Sequence, residues 1–115
     1  MSNPADVPTA LLNVRSFRQD DAMVVQCSGE LVSGQTSTLY TEVKRLIPSA
    51  KRIILDLTGL TRMDSLGLGA IVSLYVSAKA AGCDLKLINL GKRVRELFII
   101  ANLESLFELY GDHPG

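Results

Sequence analysis

Tryptophan is absent from this 115-residue chain, histidine occurs once and cysteine only twice. The lone His113 sits two residues from the C-terminus, in a stretch with no motif to anchor it, so no imidazole pair exists for zinc. It also leaves no credible base for a serine nucleophile. Cys27 and Cys83 each lie in or beside an apolar run, which suits two buried thiols in a reducing compartment better than a disulfide framework. Excess charge is missing too: 12 Lys and Arg balance 12 Asp and Glu, so no global field draws in nucleic acid or an anionic membrane. No run approaches the roughly 20 apolar residues needed to cross a bilayer, and the first eight residues lack the basic and apolar regions of a signal peptide. The expectation is a cytoplasmic protein without nucleic-acid partner, membrane insertion, metal or cofactor.

What is present reads as one domain, residues 11–110, between a loose lead at 1–10 and a tail at 111–115. Residues 11–18 and 22–28 are β-prone runs joined by a spacer of hairpin length, Gln19-Asp20-Asp21. Residues 29–36 read as a loop by their glycines and hydroxyls, and Leu39, Val43, Leu46 and Ile47 then follow at helical spacing up to Pro48. The short branched run 53–57 predicts a central strand. Residues 65–81 predict a second helix with Leu68, Ile71, Val72 and Tyr75 on its core stripe and Gly82 as its terminal residue. A strand over 84–90 follows, then a helix carrying Val94, Leu97, Phe98 and Ala101, ended by Asn102 as a left-handed cap latched by Leu103. Residues 106–110 read as a last short strand or the start of a closing element. The order β-β-α-β-α-β-α-β implies an α/β domain: a single mixed sheet of four to five strands with helices packed on one face.

The stretch Met63-Asp64-Ser65-Leu66-Gly67-Leu68-Gly69 stands at a strand-to-helix junction, where a helix N-terminus favours negative charge. It is not a nucleophile elbow, because Met63 occupies the place of the first glycine. It is not a Walker loop or a dinucleotide fingerprint either, lacking the lysine of one and the third glycine of the other. Nor does the spacing of Glu30, Asp56 and Asp64 bring two carboxylates onto one site. The chain does not read as an enzyme. A capping aspartate or serine with tight-packing glycines is the plain reading of such a junction. However, no charge occurs from Ser65 to Ala78, so a second, flanking stripe of Leu66, Ala70, Ser73, Leu74 and Ser77 is also neutral. A helix needs only one stripe for its core. The other is either covered by neighbouring helices or left as a docking surface.

Gly29-Glu30-Leu31, Ile53-Ile54-Leu55-Asp56-Leu57, Met63-Asp64-Ser65 with Gly67-Leu68-Gly69, and Arg95-Glu96-Leu97-Phe98 occur in that order. This ordered set resembles the STAS domain of the bacterial anti-sigma factor antagonists, over nearly the whole of residues 11–110. The resemblance implies that Ser65 is phosphorylated by a partner, a serine-kinase anti-sigma factor with a histidine-kinase-like ATPase fold. The unphosphorylated form would bind that kinase and free a sigma factor, and a metal-dependent serine phosphatase would reverse the modification. It further implies that Asp64 orients the Ser65 hydroxyl or shapes the kinase's approach, and that Gly67 and Gly69 permit close backbone approach. Leu66, Ala70 and Ser73 would form the docking surface, with Glu30, Val32, Ser33 and Gly34 beside it. Leu66 stands where many members have a second serine, and Val32 where many have an aspartate. The alternative is a STAS adaptor in a stress-signalling scaffold or bound to a transporter ATPase, without a phospho-switch.

Overall fold

The computed structural model describes residues 11–107. The expected lead and tail, and residues 108–110 of the closing segment, lie outside them. Strands β1 (Asn13–Gln19) and β2 (Ala22–Leu31) form an antiparallel hairpin. Its turn places Asp20 at φ 57, a left-handed conformation that aspartate tolerates. Helix α1 (Thr36–Leu46) and a 3-10 turn (Ile47–Ser49) lead to β3 (Arg52–Met63). Helix α2 (Ser65–Ala80), strand β4 (Asp84–Ile88), helix α3 (Lys92–Ile100) and a short helix α4 (Glu104–Phe107) follow. The sheet order is β1-β2-β3-β4, with β2, β3 and β4 parallel, so the expected mixed α/β sheet is found with four strands.

Alternation sets the two faces of the sheet. Val25, Cys27, Ile53, Leu55, Leu57, Leu85 and Leu87 point into one buried core with Leu39 and Val43 of α1, Ile71 and Leu74 of α2, and Val94 and Phe98 of α3. The helix ends follow local chemistry. Gly82, at φ 77, closes α2 while Cys83 N–H donates to the Ala78 carbonyl at 2.8 Å and Gly82 N–H to Lys79 at 3.1 Å. Asn102, at φ 61, closes α3 in the same way, with Leu103 N–H donating to Phe98 at 2.8 Å. Both caps match their sequence reading.

Three elements differ from expectation. Strand β2 runs on to Leu31, so Gly29, Glu30 and Leu31 are strand and the loop is only 32–35. Strand β3 runs on to Met63, pairing Glu30 with Arg62 and Leu31 with Met63 across register shifts. Non-local pairing overrides the glycines and polar residues that read as loop. Finally, Leu106 and Phe107, read as a strand or the start of a closing element, lie in α4. Phe107 anchors it, edge-on to Tyr75 at 5.0 Å and to Phe98 at 5.4 Å between ring centres.

The rotation of α2 also departs from the periodicity. Gly67, Ile71, Leu74 and Ala78 are the buried line, while Leu68, Val72 and Tyr75 are partly buried beside it. Leu74 therefore belongs to the core and not to the flanking stripe. Because α2 is apolar around most of its circumference, hydrophobic spacing alone does not select which side meets the sheet.

Candidate functional site

Strands β2 and β3 end side by side, and the segments leaving them meet at the N-terminus of α2. Asp64 is the N-cap: its extended backbone turns the chain, and Oδ1 accepts from Gly67 N–H at 2.9 Å. Its other oxygen, Oδ2, accepts from Ser33 N–H at 2.9 Å. One carboxylate thus caps α2 and holds the β2–α1 loop beside it. These bonds, Ser33 first and Gly67 next, hold the Asp64 carboxyl below the usual carboxylate range, with Arg62 adding a smaller pull. Both carboxylate oxygens of Asp64 are thus engaged by backbone N–H groups. The loop is tied at its far end as well, where Gln35 Oε1 accepts from Leu12 N–H at 3.2 Å.

Ser65 is exposed at the first position of α2, where the free N–H groups and the helix dipole favour an anion. Leu66 next to it is 58% exposed, a large apolar side chain facing solvent. Gly69 and Ser73 are exposed and Ala70 is half-buried. Ser33 and Gly34 are exposed at the loop, Val32 is half-buried, and Glu30 lies half-buried in β2 with Arg62 Nη1 3.5 Å from its carboxylate. The structure therefore brings Glu30, Val32, Ser33, Gly34, Asp64, Ser65, Leu66, Gly69, Ala70 and Ser73 to one end and one helix face.

Gly67 is the exception and corrects the expectation of a surface role. It is buried, and a Cβ there would stand 2.1 Å from the Leu31 carbonyl oxygen. Its close approach is internal, to β2. Gly69 has the opposite surroundings, since a Cβ there would meet nothing within 4 Å. One member of the surface escaped sequence reading: Val76, 60% exposed, continues the line Leu66, Gly69, Ser73 along α2. The signal was available as the next step in the 3-to-4-residue spacing.

Residues 13–114 match the model of the family described as the STAS domain. The chain belongs to the STAS domain family. Among its relatives, the anti-sigma-B factor antagonist of Bacillus subtilis (strain 168) is 27% identical over 104 residues, covering 90% of this chain and 95% of that protein. Of solved structures, an anti-sigma factor antagonist from Mycobacterium paratuberculosis superposes with a TM-score of 0.77 at 18% identity, covering 93% of this chain and 87% of the other. The anti-sigma factor antagonist SpoIIAA in its unphosphorylated form gives 0.70 at 21% identity, covering 81% and 84%. These two likenesses are of fold. Within this STAS domain, no group of three or more metal-ligating side chains occurs among the described residues, and no helix there is long and apolar enough to cross a membrane.

Proposed function

We propose that this STAS domain is a cytoplasmic anti-sigma factor antagonist that docks on a serine-kinase anti-sigma factor of histidine-kinase-like ATPase fold. In this reading its release of a sigma factor is switched off by phosphorylation of Ser65 and restored by a serine phosphatase. One observation carries the reading: an exposed serine at the first position of α2 is flanked on the same face by uncharged, exposed Leu66, Gly69, Ser73 and Val76. The relatives named above support it, and SpoIIAA has also been solved in a phosphorylated form.

The physics suits a local switch. A phosphoserine adds about −1.5 to −2 charges, and the helix N-terminus returns only about 0.3–1 kcal/mol, so the fold tolerates it. A neutral docking surface does not. Burying an uncompensated dianion against a partner costs several kcal/mol, and ~4 kcal/mol is about a thousandfold in affinity. Asp64 contributes by keeping loop and helix in one surface.

The test is labelling of the purified protein with its kinase and ATP, beside calorimetric binding to the same kinase. Label is expected on Ser65 and absent from Ser65→Ala, which binds constitutively; the phosphorylated protein binds about a thousandfold more weakly and Ser65→Asp, with a single negative charge, is weakened by less. Equal labelling of Ser65→Ala would sink the reading. Stable binding that ignores Ser65→Asp would assign the chain to an adaptor role instead.

A further inference from the structure

The face of the sheet turned away from the helices carries a recess of about 270 Å³ that the switch reading does not use. Its lining includes Asn13 and Arg15 of β1, Gln26 and Ser28 of β2, and Asp56 and Thr58 of β3. Arg15 pairs in register with Gln26, and Gln26 with Asp56, so cation, amide and carboxylate form one row across three strands. At two strand spacings, the ends of that row are about 10 Å apart.

The recess is held open by the backbone. Between Gln26 and Ser28 the register shift gives β3 one extra residue, the kind of bulge that bends a strand, and Gly59 supplies no side chain to fill the space. None can stand there without displacing β2, since a Cβ on Gly59 would lie 2.6 Å from the Ser28 Cβ and 3.0 Å from its Cα.

Asp56 is arranged in advance. Its Oδ1 accepts from Thr58 N–H at 3.1 Å, Thr58 Oγ1 at 2.6 Å and Asn89 Nδ2 at 3.0 Å. Although desolvation pushes its carboxyl upward, these bonds and one from Gln26 outweigh it and leave the group below its ordinary range. Among the described residues neither Asp56 nor Arg15 takes part in a salt bridge. Two opposite charges thus face one cavity without neutralising each other, with amides and hydroxyls between them.

We propose that this recess binds a small zwitterion of the α-amino acid class, its carboxylate on Arg15 and its ammonium on Asp56. The flexible arginine covers what the short ligand does not span, and Gln26, Ser28 and Asn13 supply uncharged hydrogen bonds. A simple anion or a simple cation would satisfy one end of the row and be repelled by the other. The absence of an aromatic wall disfavours a nucleobase, and the single lining carboxylate disfavours a hard metal ion. A recess of about 270 Å³ has room for a small amino acid.

The test is a ¹⁵N–¹H NMR titration of the whole chain with glycine, L-serine and L-glutamine, and with sodium acetate and methylammonium chloride at matched ionic strength. Saturable shifts are expected for the Thr58 and Gly59 amides and the Gln26 side-chain amide with the amino acids. Loss of one charge-assisted contact should weaken binding at least about tenfold in Arg15→Gln and in Asp56→Asn. The Asp56→Asn change keeps an acceptor oxygen for Thr58, and Arg15 is exposed, so at least one of the two variants is expected to fold. Ser65→Asp should bind like the unaltered chain, which separates this site from the switch. Absence of saturation overturns the proposal, as do equal shifts from acetate or methylammonium alone, or unchanged affinity in the folded variants.

Discussion

Two glycines two residues apart in α2 make opposite demands, and replacing each with alanine tests how the helix is seated. At Gly69 the new methyl meets nothing within 4 Å, so the substitution only exchanges a poor helix former for the best one. The expected gain is about 0.8–1.0 kcal/mol. At Gly67 the same gain is opposed by a methyl 2.1 Å from the Leu31 carbonyl oxygen and 3.0 Å from its carbonyl carbon and Cγ. Two of those three atoms are backbone of β2 and cannot rotate aside. Overpacking of this kind costs typically 1–3 kcal/mol, and a backbone clash belongs at the top of that range, leaving a net loss of about 2 kcal/mol. For a domain of about 100 residues, 1 kcal/mol moves Tm by about 4–8 °C. Gly69→Ala should therefore raise Tm by about 4–8 °C and Gly67→Ala lower it by about 8–16 °C, read by circular dichroism melts. Equal shifts for the two variants, or a destabilised Gly69→Ala, would refute the placement of Gly67 under Leu31 and of Gly69 in open space. A bulkier Gly69→Gln serves the docking reading: fold retained, kinase affinity reduced.

Acid should remove part of the stability. Asp64 and Asp56 are both held below their ordinary range, so their contribution is complete above the unfolded value near pH ~3.9 and fades as pH falls through their folded values. Denaturant melts across that window should show a steep loss that Asp64→Asn makes shallower; an unchanged slope would contradict the two backbone bonds to Asp64. Burial first, and Asp56 second, pushes the Cys27 thiol up to about 12, and burial likewise raises Cys83. Neither should react with a disulfide reagent at neutral pH until the chain unfolds, so rapid labelling of native protein would argue against this core. Phe107→Ala removes a buried ring in edge contact with Tyr75 and Phe98, and a loss of about 3 kcal/mol is expected in a urea melt.

What could be read from sequence was what a few neighbouring residues decide by themselves. Gly82 and Asn102 announce helix ends because a left-handed residue followed by an apolar latch is a local event, and Asp64 announces a helix start for the same kind of reason. The seating of α2 was beyond that reach. With Leu66, Leu68, Ile71, Val72, Leu74, Tyr75 and Val76 spread around the helix, the deciding contact is between Gly67 and the Leu31 carbonyl, 36 positions earlier in the chain. The pairing of Glu30 with Arg62 was beyond reach for a related reason, since Glu30 fell in the segment 29–36 that reads as loop and Arg62 lies past the run 53–57 that reads as strand. The candidate site shows both kinds of legibility at once. Ser65 could be named from its junction, but the surface around it exists because one carboxylate accepts from Gly67 three residues ahead and from Ser33 thirty-one residues behind. Only the first bond belongs to the helix. The second joins two crossover connections, so Asp64→Ala should loosen the loop at Ser33 as well as the helix start. Amide exchange can see this directly: faster exchange at both Ser33 and Gly67 is expected, and a change confined to Gly67 would mean that the loop is held in place by other contacts.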